Sequence, residues 1–136
     1  MILLDTTFLI DYFRGRESLE HLIENDTGVT TTLNYHEIMT GVKRSKTKRE
    51  ELFFKSFFTK IELLDFTTQA AEESSTLSAK LSALGLPVNN LDVLIAGTAL
   101  AHGIDAILTR DADLTGIGKI SDRSIRIYDI ATPSKK

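Results

Sequence analysis

Short runs of β-branched and aliphatic residues alternate along the chain with longer stretches whose apolar residues recur every three or four positions. The short runs predict five strands, at residues 2–4, 29–32, 61–64, 106–109 and 125–128. The longer stretches predict helices between the strands, as where Leu77, Leu81 and Leu84 repeat along one face. Because strands that alternate with helices build parallel sheets covered on both faces, we expect a three-layer α/β/α domain with a mainly parallel sheet of about five strands.

One predicted helix carries phenylalanine on more than one of its faces, at positions 53, 54, 57 and 58. A helix of this kind must bury both faces or leave one of them for a partner. Core packing and a dimer or partner surface therefore both remain open for this helix.

Length and composition indicate a single globular domain. The chain has 136 residues, of which 42% are hydrophobic, and single domains commonly have about 100–150 residues. The sequence contains no cysteine, which excludes a disulfide framework, a thiol nucleophile and a thiolate metal site. We expect the domain to span residues 1–131, followed by a flexible tail at residues 132–136 with the sequence TPSKK.

The first residues do not have the profile of a signal peptide, because Asp5 interrupts the first apolar run. No apolar run in the sequence reaches the length of about 20 residues that a membrane span requires. We therefore expect a cytoplasmic protein that does not associate with a membrane.

The formal net charge of -3 argues against a general nucleic-acid coat protein, which would be basic. Basic residues are nevertheless concentrated between Lys43 and Arg49. This segment could be a solvated helix end whose cations complement the helix dipole, or a rim that contacts phosphates.

Acidic residues fall at the ends of four predicted elements. Asp5 comes directly after the first strand, and Asp111 lies two residues beyond the fourth strand. Glu37 is expected in the first turn of the helix after the second strand, and Asp92 at or near the N-terminus of a buried helix. Because ligands of parallel sheets bind outside the carboxyl ends of the strands, we expect these acids to converge at one edge.

Each acid also has an ordinary structural explanation. Asp5 could be a turn residue or a cap, and Glu37 could complete a capping box with Asn34, three residues before it. Asp92 could complement a helix dipole, and the two aspartates after the fourth strand could be surface loop acids. The joint pattern, more than any single member, favours a shared site.

Carboxylates that converge repel one another. Two like charges at ~4 Å cost about 4 kcal/mol at an effective dielectric constant of about 20, so a cluster needs protons or a cation. Oxygen-only ligands favour Mg²⁺ or Mn²⁺ over zinc, and His21, His36 and His102 do not have the spacing of metal ligands. Such acidic sites typically handle phosphates, so the pattern indicates phosphoryl chemistry.

Four segments, in this order, resemble the motifs of PIN-domain ribonucleases, specifically the VapC-type toxins of toxin–antitoxin pairs: ILLDTTFLIDYFRG, NYHEIMTG, NNLDVLIAGTALAHG and ILTRDADL. The resemblance runs nearly from end to end of the chain. It implies a PIN-like fold and endoribonuclease activity that depends on Mg²⁺ or Mn²⁺. It also implies a homodimer and inhibition by a cognate antitoxin protein.

Carried over residue by residue, the resemblance implies that the catalytic, metal-binding residues are Asp5, Glu37, Asp92 and Asp111. Asp113 is an alternative to Asp111, because members of the family vary in this loop. Candidate contacts to RNA phosphates are Arg14, Lys43, Arg44 and Arg110.

Hydroxyl groups are expected to support this site. Thr109 matches a family Thr or Ser whose hydroxyl can orient a carboxylate, and Thr6 is a second supporting residue. The family most often has Asn at the position of Thr7, and a hydroxyl lacks the combined donor and acceptor of an amide. This departure puts the hydrogen bonding around the metal ligands in question, and not the metal ligands themselves.

Other classes fit the sequence less well. A response-regulator receiver domain would have an acid pair near the first strand end, but Asp5 has no acidic neighbour. A haloacid-dehalogenase-like phosphatase would have a second Asp where Thr7 stands. The more serious alternative is a catalytically inactive PIN-like module that binds RNA or a partner protein.

Overall fold

The computed structural model describes residues 1–15, 17–104 and 106–128. The strands are β1 (Ile2–Leu4), β2 (Gly28–Thr31), β3 (Glu62–Leu64), β4 (Ala106–Thr109) and β5 (Ser124–Ile127). The α-helices are α1 (Thr6–Phe13), α2 (Thr32–Ser45), α3 (Lys48–Phe58), α4 (Thr68–Ala83), α5 (Asn90–Ala101) and α6 (Asp113–Ser121), and a 3-10 helix spans Glu17–Leu22. The strands form one parallel sheet in the order β3-β2-β1-β4-β5.

This architecture confirms the predicted α/β fold class and the parallel sheet. The predicted strand boundaries agree with the structure to within one residue at each end. Residues 129–131 of the predicted domain and the predicted tail at residues 132–136 lie outside the described residues.

Helices cover both faces of the sheet because successive side chains of a strand point to opposite faces. On one face, Ile2, Leu4 and Leu108 pack with apolar residues of α1, α2 and α3. On the other face, Leu3 and Ile107 pack with apolar residues of α4, α5 and α6. The helices and the sheet therefore form the three predicted layers.

The direction in which the strands are added reverses at β1. The chain adds β2 and β3 on one side of β1, and then β4 and β5 on the other side. Ligands of open parallel sheets bind outside the carboxyl ends of the strands at such a reversal. Here the backbone N–H of Asp5 donates to the carbonyl oxygen of Leu108 at 3.1 Å. The residues that follow β1 and β4 are thus direct neighbours.

The start of α2 differs from the prediction. The N-cap residue is Thr31, whose hydroxyl accepts a 3.0 Å hydrogen bond from the backbone N–H of Asn34. The capping box that would begin at Asn34 is therefore wrong, and Glu37 lies in the second turn of α2 and not the first. The physical reason is that a threonine hydroxyl at the strand end already caps the helix three residues earlier.

The phenylalanine-rich helix α3 has one buried face and one exposed edge. Phe54 and Phe58 are buried in the core, whereas Phe53 is 37% exposed and Leu52 is 67% exposed. Phe13 of α1 packs against Phe53 and Phe54, with ring centroids 4.5 and 5.1 Å apart. Core packing thus explains the face of α3 that carries Phe54 and Phe58, and the edge that carries Leu52 and Phe53 is exposed to solvent.

The helices of the described residues are too short or too polar to cross a membrane.

Candidate metal centre

Asp5 is held at the end of β1 by two side chains that come from distant parts of the sequence. Its carboxylate is buried; Oδ1 accepts from Nδ2 of Asn34 at 3.1 Å and Oδ2 accepts from the hydroxyl of Thr109 at 2.7 Å. Burial raises the pKa of Asp5, and the hydrogen bonds from Thr109 and Asn34 act against this effect. The orientation of this carboxylate is therefore fixed by its neighbours.

Asn34 connects Asp5 to Glu37. The hydroxyl of Thr31 donates to Oδ1 of Asn34 at 2.7 Å, which leaves Nδ2 as the donor toward the site. That Nδ2 also donates to the hydroxyl of Thr6 at 3.0 Å, and the same hydroxyl donates to Oε1 of Glu37 at 2.7 Å. Burial is the largest cause that raises the pKa of Glu37. The predicted supporting residue Thr6 thus contacts a predicted metal ligand directly.

Asn34 itself was not predicted as a site residue. It is fully buried in the first turn of α2. A buried amide needs hydrogen-bond partners, and the sequence shows only that an Asn precedes Glu37 by one turn. The sequence feature that could have identified it is an Asn three residues before an acid, and a helix capping box explained that feature equally well.

Thr109 organises the loop between β4 and α6. Its hydroxyl accepts from the backbone N–H of Asp111 at 2.9 Å while it donates to Asp5. Oδ1 of Asp111 in turn accepts from the backbone N–H of Asp113 at 2.9 Å. The predicted supporting role of Thr109 in orienting a carboxylate matches these contacts.

Thr7, the departure from the family pattern, has partners on the same loop. Its hydroxyl accepts from the backbone N–H of Arg110 at 2.9 Å and shares a 3.2 Å hydrogen bond with the hydroxyl of Thr109. A hydroxyl at position 7 therefore suffices to join the start of α1 to the end of β4.

Three aspartates could hold one metal ion. One carboxylate oxygen from each of Asp92, Asp111 and Asp113 lies within 4.8 Å of the other two. Asp92 is in the first turn of α5, where Asn89 supplies the N-cap hydrogen bond. Both loop aspartates thus approach Asp92, and the two alternatives left open by the sequence occur together.

The buried Oδ2 atom of Asp92 accepts no hydrogen bond from any of the described residues. Burial, followed by the negative charges of Asp111 and Asp5, raises the pKa of Asp92 to about 7. A hydrogen bond between the carboxyl groups of Asp92 and Asp111, which requires a proton, and then the charge of Glu37 add to this shift. A buried carboxylate oxygen without a donor is costly, and a divalent cation with oxygen ligands would satisfy it. The donor set therefore fits Mg²⁺ or Mn²⁺.

The predicted phosphate contacts are in different environments. Arg14 and Glu37 line the same groove of about 300 Å³ between α1, α2 and α3. Lys43 and Arg44 are exposed near the C-terminal end of α2. Arg110, in contrast, forms an ion pair with the buried carboxylate of Asp11.

Comparison with known proteins identifies the family of this chain. A family model described as the PIN domain matches residues 2–120. The Ribonuclease VapC2 of Rickettsia felis is 31% identical over 86 residues, which are 62% of this chain and 64% of that protein. The tRNA(fMet)-specific endonuclease VapC of Salmonella typhimurium is 30% identical over 108 residues, which are 75% of this chain and 80% of that protein.

The fold is also shared with a solved structure. The crystal structure of VapBC2 from Rickettsia felis, bound to a DNA fragment from their promoter, contains a chain that is 24% identical and superposes with a TM-score of 0.76. The superposition covers 95% of this chain and 100% of that chain. The resemblance to VapC-type proteins seen in the sequence is thus confirmed, and the chain belongs to the PIN-domain family.

Proposed function

We propose that this protein is an endoribonuclease that hydrolyses RNA phosphodiester bonds with Mg²⁺ or Mn²⁺, and that it is the toxin of a toxin–antitoxin pair. The observation that carries the proposal is the buried, unpartnered Oδ2 of Asp92 beside Asp111 and Asp113. Relatives whose names are ribonuclease and tRNA endonuclease support the same activity.

The residues that would hold the cation are Asp92, Asp111 and Asp113, whose carboxylate oxygens lie within 4.8 Å of one another. Asp5 and Glu37, which are outside that group of three, are proposed as further ligands from the family resemblance. When bound, a divalent cation in such a site lowers the pKa of a water and offsets the negative charge that develops on the phosphate. Asn34 and Thr109 keep the carboxylate of Asp5 in one orientation before any ligand arrives. Preorganisation of this kind avoids rearranging the site at the moment of reaction.

When no metal is bound, the carboxyl group of Asp92 would bind and release a proton. Because its pKa is about 7, its carboxyl group holds a proton through mildly acidic pH and releases it near neutrality. Metal ligands must be deprotonated, so binding of the cation would displace this proton. Below neutral pH, this proton lowers the number of negative charges in the site when no cation is bound.

An acidic centre can bind an anionic substrate when bound cations reverse the local charge. Arg14 lines the same groove as Glu37, which supports the proposal that it would contact a phosphate near the scissile bond. The exposed Lys43 and Arg44 would contact phosphates further along the strand.

We propose that the cognate antitoxin covers the exposed edge of α3 and the groove beside it. Leu52 and Phe53 are exposed there, next to the ring of Phe13. The groove is lined by Phe13 and by Phe54 of α3, and also by Glu37, so a segment lying in it would block access to the site. A homodimer is proposed from the family resemblance, and light scattering of the purified chain would test it.

The proposed activity is tested with purified protein that has been freed of antitoxin. RNA, including tRNA, is incubated with the protein and Mn²⁺, or with EDTA. Cleavage is expected with Mn²⁺ alone, and Asp5→Asn is expected to lower it by about 100-fold or more because a ligand and its charge are lost.

The matched control is Asp65→Asn, since Asp65 is exposed and directly follows β3. Its activity should equal that of the wild type. Cleavage that persists in EDTA, or in Asp5→Asn, would contradict the proposed mechanism. Tight RNA binding with no cleavage under any of these conditions would favour the inactive binding module.

A further inference from the structure

Asp11 is a buried acid that belongs neither to the metal centre nor to the hydrophobic core. Its side chain on α1 is only 4% exposed. Arg110 donates to it from two nitrogens, Nε to Oδ2 at 3.0 Å and Nη2 to Oδ1 at 3.3 Å. The hydroxyl of Tyr128 donates to Oδ2 at 2.8 Å. Both oxygens of this carboxylate are therefore satisfied.

Arg110 is held to α1 at both of its ends. Its guanidinium contacts Asp11, and its backbone N–H donates to the hydroxyl of Thr7 at 2.9 Å. Arg110 stands between Thr109, which donates to Asp5, and Asp111, which belongs to the aspartate cluster. Holding this one residue therefore fixes the segment that carries two members of the metal centre.

The contacts of Arg110 do not suit a phosphate-binding residue. Two nitrogens of its guanidinium already donate to the carboxylate of Asp11. Arginine binds a phosphate through the same kind of two-nitrogen contact, so these two donors are already in use. Arg110 is itself 46% exposed, but moving it to RNA would leave the buried carboxylate of Asp11, among the described residues, with the hydroxyl of Tyr128 as its remaining donor. Leaving a buried carboxylate without its cationic partner is unfavourable.

Tyr128 anchors the network from the far edge of the sheet. It follows β5, and its ring packs edge-on against Phe8 of α1 with centroids 5.7 Å apart. Its backbone N–H also donates to the carbonyl oxygen of Thr109 at 3.1 Å. The ring position is thus set by packing, independently of the hydroxyl that contacts Asp11.

We infer that Asp11, Arg110 and Tyr128 form a latch that positions the segment from Thr109 to Asp113 for metal binding, and that Arg110 is a positioning residue and not an RNA contact. The inferred effect of the latch on metal binding and on RNA cleavage rests on the proposed function. Its effect on the loop does not, because the contacts among Asp11, Arg110 and Tyr128 include no proposed metal ligand.

The first experiment measures amide hydrogen exchange in metal-free protein. Asp11→Asn is expected to speed exchange in residues 110–113 and leave β2 unchanged. Tyr128→Phe, which retains the ring against Phe8, should cause a smaller increase in the same segment. The control is Arg126→Gln, which breaks the more exposed ion pair between Arg126 and Asp26. Equal exchange in residues 110–113 of wild type and both latch variants would overturn the inference.

The second experiment separates positioning from RNA contact. Arg110→Gln should weaken Mn²⁺ binding by about 10- to 100-fold, the range seen when groups that orient metal ligands are lost. It should lower kcat and leave KM for RNA unchanged, and Arg110→Lys should restore part of the Mn²⁺ affinity. A higher KM with unchanged Mn²⁺ affinity would instead identify Arg110 as a phosphate contact and overturn the latch.

A double variant tests whether Asp11 acts through Arg110. The double variant Asp11→Asn, Arg110→Gln should bind Mn²⁺ no more weakly than the weaker-binding single variant. The reason is that each substitution removes the same contact, the one between Arg110 and Asp11. Additive losses would contradict the inference. If the wild type neither binds Mn²⁺ nor cleaves RNA, the proposed function fails, while hydrogen exchange still decides whether the latch holds the loop.

Discussion

The hydroxyl of Thr109 donates a 2.7 Å hydrogen bond to Oδ2 of Asp5. The two residues are 104 positions apart in the sequence, and their hydrogen bond joins the ends of two neighbouring strands. The same hydroxyl accepts from the backbone N–H of Asp111. One side chain therefore sets the orientation of one proposed metal ligand and the backbone position of another.

Removing this hydroxyl should weaken the metal site. Thr109→Val keeps the β-branched shape in a fully buried position and leaves Oδ2 of Asp5 without its donor. Mn²⁺ affinity, measured by isothermal titration, is expected to fall by about 10- to 100-fold. Thr109→Ser retains the hydroxyl and should bind Mn²⁺ nearly as well as the wild type. Equal affinity of the Val and wild-type proteins would show that the hydroxyl does not orient the ligand.

Replacing Asn34 by aspartate should destabilise the metal-free protein. Asn34→Asp exchanges the amide donor to Asp5 and Thr6 for another carboxylate, in a fully buried position. Chemical denaturation at pH 8 is expected to show a loss of about 1–3 kcal/mol, the cost of breaking buried hydrogen bonds. The control Asn90→Asp, at the exposed first residue of α5, should be neutral or stabilising because it adds negative charge at a helix N-terminus.

The stability of the metal-free protein should fall as the pH rises from about 4 to about 7. The pKa of Asp92 is raised from 3.8 to about 7 in the folded chain. Between these values the folded state keeps a proton that the unfolded state releases, so raising the pH favours unfolding. The raised pKa values of Asp5 and Glu37 act in the same direction.

Thermal unfolding in EDTA at pH 5 and at pH 8 measures this effect. Tm should be lower at pH 8, and the difference should shrink in Asp92→Asn, which cannot ionise. Added Mn²⁺ should raise Tm more at pH 8 than at pH 5, because protons no longer compete for the ligands. A metal-free Tm that is the same at both pH values in wild type and variant would exclude Asp92 as the titrating group.

Exposed residues of α3 should contribute to antitoxin binding. Leu52→Asp and Phe53→Asp change exposed side chains, so the fold should persist while affinity for the co-expressed antitoxin is lost in pull-down experiments. Phe54→Asp is unsuitable for this purpose, since Phe54 is buried in the core and the variant should unfold. The control Leu84→Asp lies beyond the end of α4 and is 63% exposed. Undiminished binding by both α3 variants would remove this surface from the account.

Much of the fold was predictable because its signals are local. Runs of aliphatic residues mark the strands to within one residue, and strand–helix alternation implies a parallel sheet. Asp5 and Asp111 could be placed at one edge for the same reason, since each follows a strand. The order of the strands then makes these two positions neighbours.

The contacts between distant side chains were not predictable. Asp11, within the stretch FLIDYF, has the pattern of a polar residue on an amphipathic helix. The donors that satisfy its buried carboxylate, Arg110 and Tyr128, are 99 and 117 positions away. Asn34 was interpreted as a possible cap because Glu37 follows it at the three-residue spacing of a capping box. Three consecutive threonines, at positions 30–32, stand where β2 ends and α2 begins. Which of them caps α2 depends on the register of β2, and that register is set by pairing with β1 and β3.

The proposed function requires that a divalent cation binds at the carboxyl edge of the sheet and satisfies Oδ2 of Asp92. Crystals of the wild-type protein grown or soaked with Mn²⁺, and measured for anomalous scattering, test this claim directly. We expect an anomalous peak within bonding distance of Oδ2 of Asp92 and of a carboxylate oxygen of Asp111 or Asp113. A well-ordered site with no peak at saturating Mn²⁺, or a peak bound only to other residues, would contradict it.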